Sequence, residues 1–192
     1  MGLAKLKTKI SLEDYLEGEK VSQIRHEFID GEVYAMAGAS DSHHRISFNL
    51  AAKLDAHLIN SPCEAFMAEM KLKADENIFY YPDVFVACDE KPESRYYREH
   101  PVLIIEVISP STRQTDRREK LRAYQQIASV QEYVLIEQEK IYLELHRRQS
   151  DGRWITYFYN NSDFDEIIEF QSVQLATNLE EIYRRVTFDE YK

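Results

Sequence analysis

The sequence predicts an α/β domain in which a mixed β-sheet is flanked by helices, and three observations carry that prediction. Segments with apolar residues every three or four positions alternate along the chain with segments where they recur every second position. The run 102–108 is apolar at every position but one, the mark of a strand covered on both faces. Helical and strand-like stretches are interleaved instead of segregated, which favours helices layered on a sheet.

The elements follow in order. Ser11 opens a helix over 11–18, with Asp14 three residues on as in a capping box and Leu12, Tyr15 and Leu16 on one face. Asp30-Gly31 between the apolar pairs Phe28-Ile29 and Val33-Tyr34 predicts a tight hairpin turn. Ile46, Leu50, Leu54 and Leu58 recur every four residues and predict a helix over 41–58. From 65 to 73 the period drops to two, with Phe66, Ala68, Met70 and Leu72 opposite Met67, Glu69, Lys71 and Lys73, so one strand with a polar face is expected. Further strands are expected over 78–88 and 102–108, the latter central. A helix over 115–128 should turn Leu121, Tyr124 and Ala128 inward. Strands over 133–136, 141–146 and 154–159 come next, the last after the Asp151-Gly152 turn, then a short helix over 179–184 and a tail.

The 192 residues suit one domain over 1–192, divided into a helix and turn (1–40), a core (41–160) and a tail (161–192). A net charge of −10 leaves no domain-wide basic field, which counts against an abundant non-specific DNA binder but not against local basic groups. Cys63 and Cys88 are too few for a disulfide framework and read as small buried hydrophobes. The start, MGLAKLKTKI, resembles neither a signal peptide nor a membrane span, and Leu6 stands where a myristoylation signal has Ser or Thr. A cytoplasmic location is the expectation.

The residues that carry chemistry are those out of place in their strands. Glu106 interrupts the apolar run 102–108, where a carboxylate loses hydration and needs a cation, a metal or a proton. Asp83 stands in the same way near the start of Tyr-Pro-Asp-Val-Phe-Val-Ala (81–87). If these strands pair, two carboxylates meet on one face, an unfavourable arrangement unless a divalent cation lies between them. Hard oxygen ligands favour Mg²⁺ or Mn²⁺, whereas zinc-type Cys/His spacing and HExxH are lacking. Lys120, on the helix after the Glu106 strand, could orient or deprotonate a water and stabilise a pentacovalent phosphate. The plainer alternatives are a strand-end Glu paired with an Arg and a solvated Lys.

These residues resemble the PD-(D/E)XK nuclease superfamily, in Pro82-Asp83 followed by the apolar strand that carries Glu106. The superfamily pattern has Lys two residues after that Glu, where this chain has Ile108. The chain is more similar to the Uma-two family, matched by 25–33 (Arg-His-Glu-Phe-Ile-Asp-Gly-Glu-Val), Met36, His43, 81–84 (Tyr-Pro-Asp-Val), 106–112, 116–121, Tyr124 and 132–136. The resemblance spans roughly 12–159. It implies a restriction-endonuclease-like mixed-sheet core with the catalytic Lys supplied by the following helix as Lys120. It also implies Glu27 as an extra site carboxylate and Mg (or Mn) as cofactor, held by Asp83, Glu106 and the backbone of Val107. The implied activity is endonuclease hydrolysis of phosphodiester bonds in nucleic acid, DNA foremost, by a homodimer with no membrane partner.

Rival readings remain open in the sequence. Glu69-Met70-Lys71 fits E-x-K literally but precedes Pro82-Asp83, so it reads as a solvated or site-flanking face. Arg95-Tyr96-Tyr97-Arg98 suits phosphate contact and base stacking, or a plain surface loop. His43-His44 could approach the site from the helix start, with a hydrogen-bonding or capping role the better reading, and Ser111, Thr112 and Thr115 read as helix caps. Against the active nuclease stand an inactive nuclease-fold binding or scaffold module, and a phosphodiesterase for RNA or a small nucleotide.

Overall fold

The computed structural model describes residues 9–36, 38–88, 91–109 and 113–188. Helix α1 (Leu12–Val21) begins at Ser11, whose hydroxyl accepts the Asp14 N–H. Strands β1 (His26–Ile29) and β2 (Glu32–Ala35) form an antiparallel hairpin. Its turn has φ 50° at Asp30 and φ 89° at Gly31, the positive pair that a two-residue hairpin needs.

Helix α2 (Asp41–Leu58) buries Ile46, Leu50, Leu54 and Leu58, as their spacing predicts. Capping by the Ser40 hydroxyl satisfies its His43 N–H. Midway along α2, the Asn49 amide donates to the carbonyls of Ile182 and Arg184, both at 2.9 Å, tying the helix to the C-terminal segment.

The strand expected over 65–73 is two strands, β3 (Glu64–Met67) and β4 (Lys71–Asp75). A turn closed by the Met70 N–H on the Met67 carbonyl separates them. The strand expected over 78–88 likewise divides into β5 (Ile78–Tyr80) and β6 (Val84–Ala87). Pro82 lies in that break and has no N–H to continue a ladder. At both corners the chain changes sheets.

The remaining elements are β7 (Tyr97–Arg98), β8 (Pro101–Ile108), α3 (Arg113–Thr115), a π-helical stretch (Asp116–Lys120), α4 (Leu121–Gln126), β9 (Glu132–Glu137), β10 (Tyr142–Arg148), β11 (Trp154–Asn160), β12 (Ile168–Phe170), β13 (Leu175–Thr177) and α5 (Leu179–Ile182). Among the described residues the strands form a five-stranded sheet β2-β1-β5-β4-β7, a six-stranded sheet β11-β10-β9-β8-β6-β3 and the hairpin β12-β13. The strand β8 is central, parallel to β9 and antiparallel to β6.

One face of the six-stranded sheet packs against α2 and the C-terminal segment, where Ile168, Phe170, Leu175, Leu179 and Ile182 are buried. Those residues, expected as a short helix and tail, thus complete the core with an additional hairpin. The opposite face meets the five-stranded sheet and α4 through Phe85, Ile104, Ile108, Tyr124, Tyr133 and Leu72. Each such fully buried Leu, Ile or Phe contributes roughly 1.5–3 kcal/mol of transfer free energy. Ala128, expected to face inward, lies beyond the end of α4 and is exposed.

The two cysteines are not free hydrophobes: Cys63 and Cys88 form a disulfide. The antiparallel register Glu64↔Ala87 carries on to place Cys63 opposite Cys88, an adjacency that the spacing of two isolated cysteines does not reveal. Among the described residues no helix is long and apolar enough to cross a membrane. The Met1-Gly2 and Leu6 positions weighed for myristoylation lie outside the described residues.

Candidate active site

The β8 strand delivers Glu106 to its buried face, 3% exposed, between the two sheets. Two donors from the following helical segment meet it. The Lys120 ammonium lies 3.1 Å from Glu106 Oε1, and the Tyr124 hydroxyl donates to the same oxygen at 3.0 Å. The π-helical turn ends at Lys120. Turns of this kind are rare and cluster at functional sites; here both Asp116 and Lys120 are buried, at 3.6 Å from each other.

Lys120 also meets Glu27 Oε1, at 2.9 Å. Glu27 reaches it from β1, whose partner β5 adjoins the Tyr81-Pro82-Asp83 corner, and the Tyr81 N–H donates to Glu27 Oε1 at 3.5 Å. The ring of Tyr80 lies under the ammonium, 5.4 Å from its centre. One cation therefore sits among three carboxylates and an aromatic face.

Asp83 immediately precedes β6. The register Val84↔Ile105 carries on to place Asp83 opposite Glu106 and Pro82 opposite Val107. Asp83 Oδ2 accepts the Val107 N–H at 2.7 Å. In an extended strand the N–H and C=O of one residue point the same way, so the Val107 carbonyl also faces Asp83. Pro82, opposite it, has no N–H with which to engage that carbonyl.

Electrostatics follow from burial and crowding. Burial pushes the Glu106 carboxyl well above its ordinary range; Lys120 opposes this, and Asp116, Asp83 and Glu27 reinforce it. Burial alone would drive Lys120 down, but Glu106, Glu27 and Asp116 reverse it and hold the amine well above its usual value. Lys120 is thus an ammonium at neutral pH, a donor and not a base. Burial also raises Tyr124 strongly, with Glu106 adding to it, so its hydroxyl stays a donor.

The structure therefore brings Glu27, Glu106 and Lys120 into direct contact and ties Asp83 to the next residue of the Glu106 strand. A family model described as "Putative restriction endonuclease", Uma2, matches residues 12–179. The chain belongs to the Uma2 family. It is 34% identical over 182 residues to "Uncharacterized protein slr1290" of Synechocystis sp., covering 94% of each chain. It is 35% identical over 146 residues to "Uncharacterized protein sll1609" of the same organism, covering 74% of this chain and 82% of the relative. The fold is also that of a solved protein from Anabaena variabilis described as "a putative nuclease belonging to DUF820". The two structures match with a TM-score of 0.72 at 17% identity, over 91% of this chain and 97% of that one.

Three residues in this Uma2 site escaped the sequence reading or were given other roles. Asp116 is 2% exposed and faces Lys120; its i, i+4 spacing was the available signal. Tyr124, expected only as a core residue, bonds Glu106. His43, for which an approach to the site ranked below a capping or hydrogen-bonding role, places its side-chain Nε2 3.2 Å from Asp83 Oδ2, while Ser40 caps the helix.

The rival E-x-K comes apart in the fold. Glu69 lies exposed in the β3–β4 turn and pairs with Arg25 at 2.8 Å, whereas Lys71 is buried with its ammonium over the Tyr81 ring. Burial pushes Lys71 down. Arg98 stacks on Phe66 and donates to the Ser94 and Tyr97 carbonyls, while Arg95 and Tyr96 stay exposed. Thr115 makes no side-chain cap; Ser111 and Thr112 lie outside the described residues.

A divalent cation fits this donor set. Asp83, Glu106 and the Val107 carbonyl offer the hard oxygens that Mg²⁺ and Mn²⁺ take. Among the described residues no three His, Cys, Asp or Glu side chains are grouped to hold an ion by themselves, so the main-chain carbonyl is a needed member.

Proposed function

We propose that this Uma2 protein is a metal-dependent endonuclease that hydrolyses phosphodiester bonds in nucleic acid, DNA foremost. The observation that carries the reading is the buried ammonium of Lys120 held between Glu27 and Glu106, with Asp83 bonded to the residue that follows Glu106. Unpaired buried charge is costly to keep, and a carboxylate surplus on a central strand has a use when a divalent cation completes it.

Asp83, Glu106 and the Val107 carbonyl would hold Mg²⁺ or Mn²⁺, which when bound supplies Lewis-acid polarisation and a water of lowered pKa. The chain's own groups do the rest. Lys120, kept charged, donates to the oxygen on which negative charge develops, a role that persists only while Glu27 and Glu106 aim it. Glu27 is the more exposed of its two partners, with its side chain 14% accessible against 4% for Glu106, so it stands on the side from which a phosphate would approach. Tyr124 fixes the Glu106 carboxylate through its hydroxyl. At a net charge of −10 the chain offers a polyanion no general attraction, so a bound cation would be needed to draw phosphate to this carboxylate-rich centre.

The test pairs calorimetry with a nicking assay on supercoiled plasmid. Wild type should bind Mg²⁺ or Mn²⁺ and nick, Asp83→Ala and Glu106→Ala should lose metal binding, and Lys120→Ala should bind metal without nicking. Absence of metal binding by wild type across the millimolar range would refute the assignment and leave a nuclease-fold binding module. Cleavage of RNA alone would move the substrate and keep the site.

A further inference from the structure

We infer that the imidazole of His43 is itself a ligand of the cation, making this a mixed nitrogen–oxygen site that favours Mn²⁺ over Mg²⁺. The inference rests on the metal-dependent reading above and adds a residue and an ion preference to it.

The geometry is specific. His43 Nε2 lies 3.2 Å from Asp83 Oδ2. The Val107 N–H bonds the same carboxylate oxygen at 2.7 Å. The imidazole therefore lies against the carboxylate that is tied to the residue following Glu106. Two donors bound at about 2.1 Å to one octahedral ion stand about 3 Å apart, so an ion could join the imidazole and the carboxylate with little movement of either.

No structural duty of the helix requires His43 there. Ser40 caps α2 by accepting the His43 N–H, and the Ser47 hydroxyl donates to the His43 carbonyl; both contacts use only its main chain. The side chain is 17% accessible and lies at the rim with Asp83 at 12%, open to an entering ion. Glu106, by contrast, is held inward by Lys120 and Tyr124. His43 thus stands with Asp83 on the open side of the cation site, and Glu106 on its inner side. Imidazole suits transition ions, whereas Mg²⁺ demands oxygen and retains water.

The test titrates Mn²⁺ into the full chain, followed by electron paramagnetic resonance with detection of ¹⁴N hyperfine coupling, and compares Mg²⁺ by calorimetry. Wild type should show one imidazole coupling that disappears in His43→Ala and His43→Gln. Mn²⁺ affinity should fall at least about tenfold, with Mg²⁺ affinity changed by less than about threefold. Melting of the metal-free variants checks that they fold. His43→Gln can still hydrogen-bond Asp83, so wild-type Mn²⁺ affinity in that variant would reduce His43 to a positioning residue and overturn the proposal. Mn²⁺ bound without nitrogen coupling would overturn it too, leaving the nuclease reading intact. No Mn²⁺ binding by wild type would overturn both.

Discussion

Lys120 and Glu27 meet at 2.9 Å across the interior, joining the π-helical turn after β8 to the first strand of the other sheet. The same ammonium is 3.1 Å from Glu106, so one charge binds two sheets together. Lys120→Met keeps most of the apolar stem but strands Glu27, Glu106 and Asp116 without their cation. The expected loss is about 3–5 kcal/mol at neutral pH, the range for breaking a buried ion pair by removing one partner. Urea denaturation at pH 7 and pH 5 checks this: the loss should shrink at the lower pH, where carboxylates can take up protons.

Glu106→Gln should act in the opposite direction on stability. Burial raises the folded-state pKa of Glu106 well above its ordinary value, so the folded chain holds that proton more tightly than the unfolded chain does. Stability from this source is full below the unfolded pKa of about 4.3 and is lost as pH rises through the folded value. Glutamine has no proton to lose and keeps a carbonyl for Tyr124 and Lys120. The stability of Glu106→Gln relative to wild type should therefore increase as pH rises from about 4, while plasmid nicking is abolished. A pH-independent difference in melting temperature would contradict the buried-acid account.

The fold class and the burial of Glu106 were legible because burial leaves a strong mark on sequence. Four apolar residues at helical spacing fixed α2, and an acid inside an apolar strand exposed Glu106. What escaped notice were relations across elements. Alternation with period two runs unbroken through residues 65–73, since it records which side chains are apolar and not whether the chain turns a corner between sheets. His43 reaching Asp83 and Cys63 facing Cys88 are likewise products of strand and helix placement, with no local signature. Lys120 was singled out only by the Asp83/Glu106 pair and its place on the helix after the Glu106 strand; its helical segment alone reads as a solvated charged surface.

The β1–β2 hairpin carries Glu27, so its turn should matter beyond its size. Gly31 has φ 89°, and a Cβ there would lie 2.9 Å from the Lys9 Cβ of the segment that crosses the turn. That segment is fixed by the Ile10 N–H on the Gly31 carbonyl. Gly31→Ala should cost about 1–2 kcal/mol from the left-handed backbone alone, with the close contact adding to it. Thermal melting measures the loss. A loss no larger than that backbone cost would mean that the N-terminal segment does not press on the turn in solution, and unchanged stability would contradict the positive φ at Gly31 itself.

The Cys63–Cys88 disulfide closes a loop with a sequence separation of 25 residues, and within that loop lie Lys71, Tyr81 and Asp83. Closing such a loop in the unfolded chain stabilises the fold by about 3.5 kcal/mol on chain-entropy grounds. The double variant Cys63→Ser, Cys88→Ser should therefore unfold at lower urea than oxidised wild type and at nearly the same urea as wild type in reductant. Because Asp83 follows β6 directly from the Tyr81-Pro82 corner, the crosslink at the far end of β6 constrains the unfolded chain more than the site itself. Nicking under folded conditions should accordingly persist in the reduced protein. If reduction leaves the urea midpoint unchanged, the bond is not formed in solution; if it abolishes nicking without unfolding, the β3–β6 pairing governs where Asp83 stands.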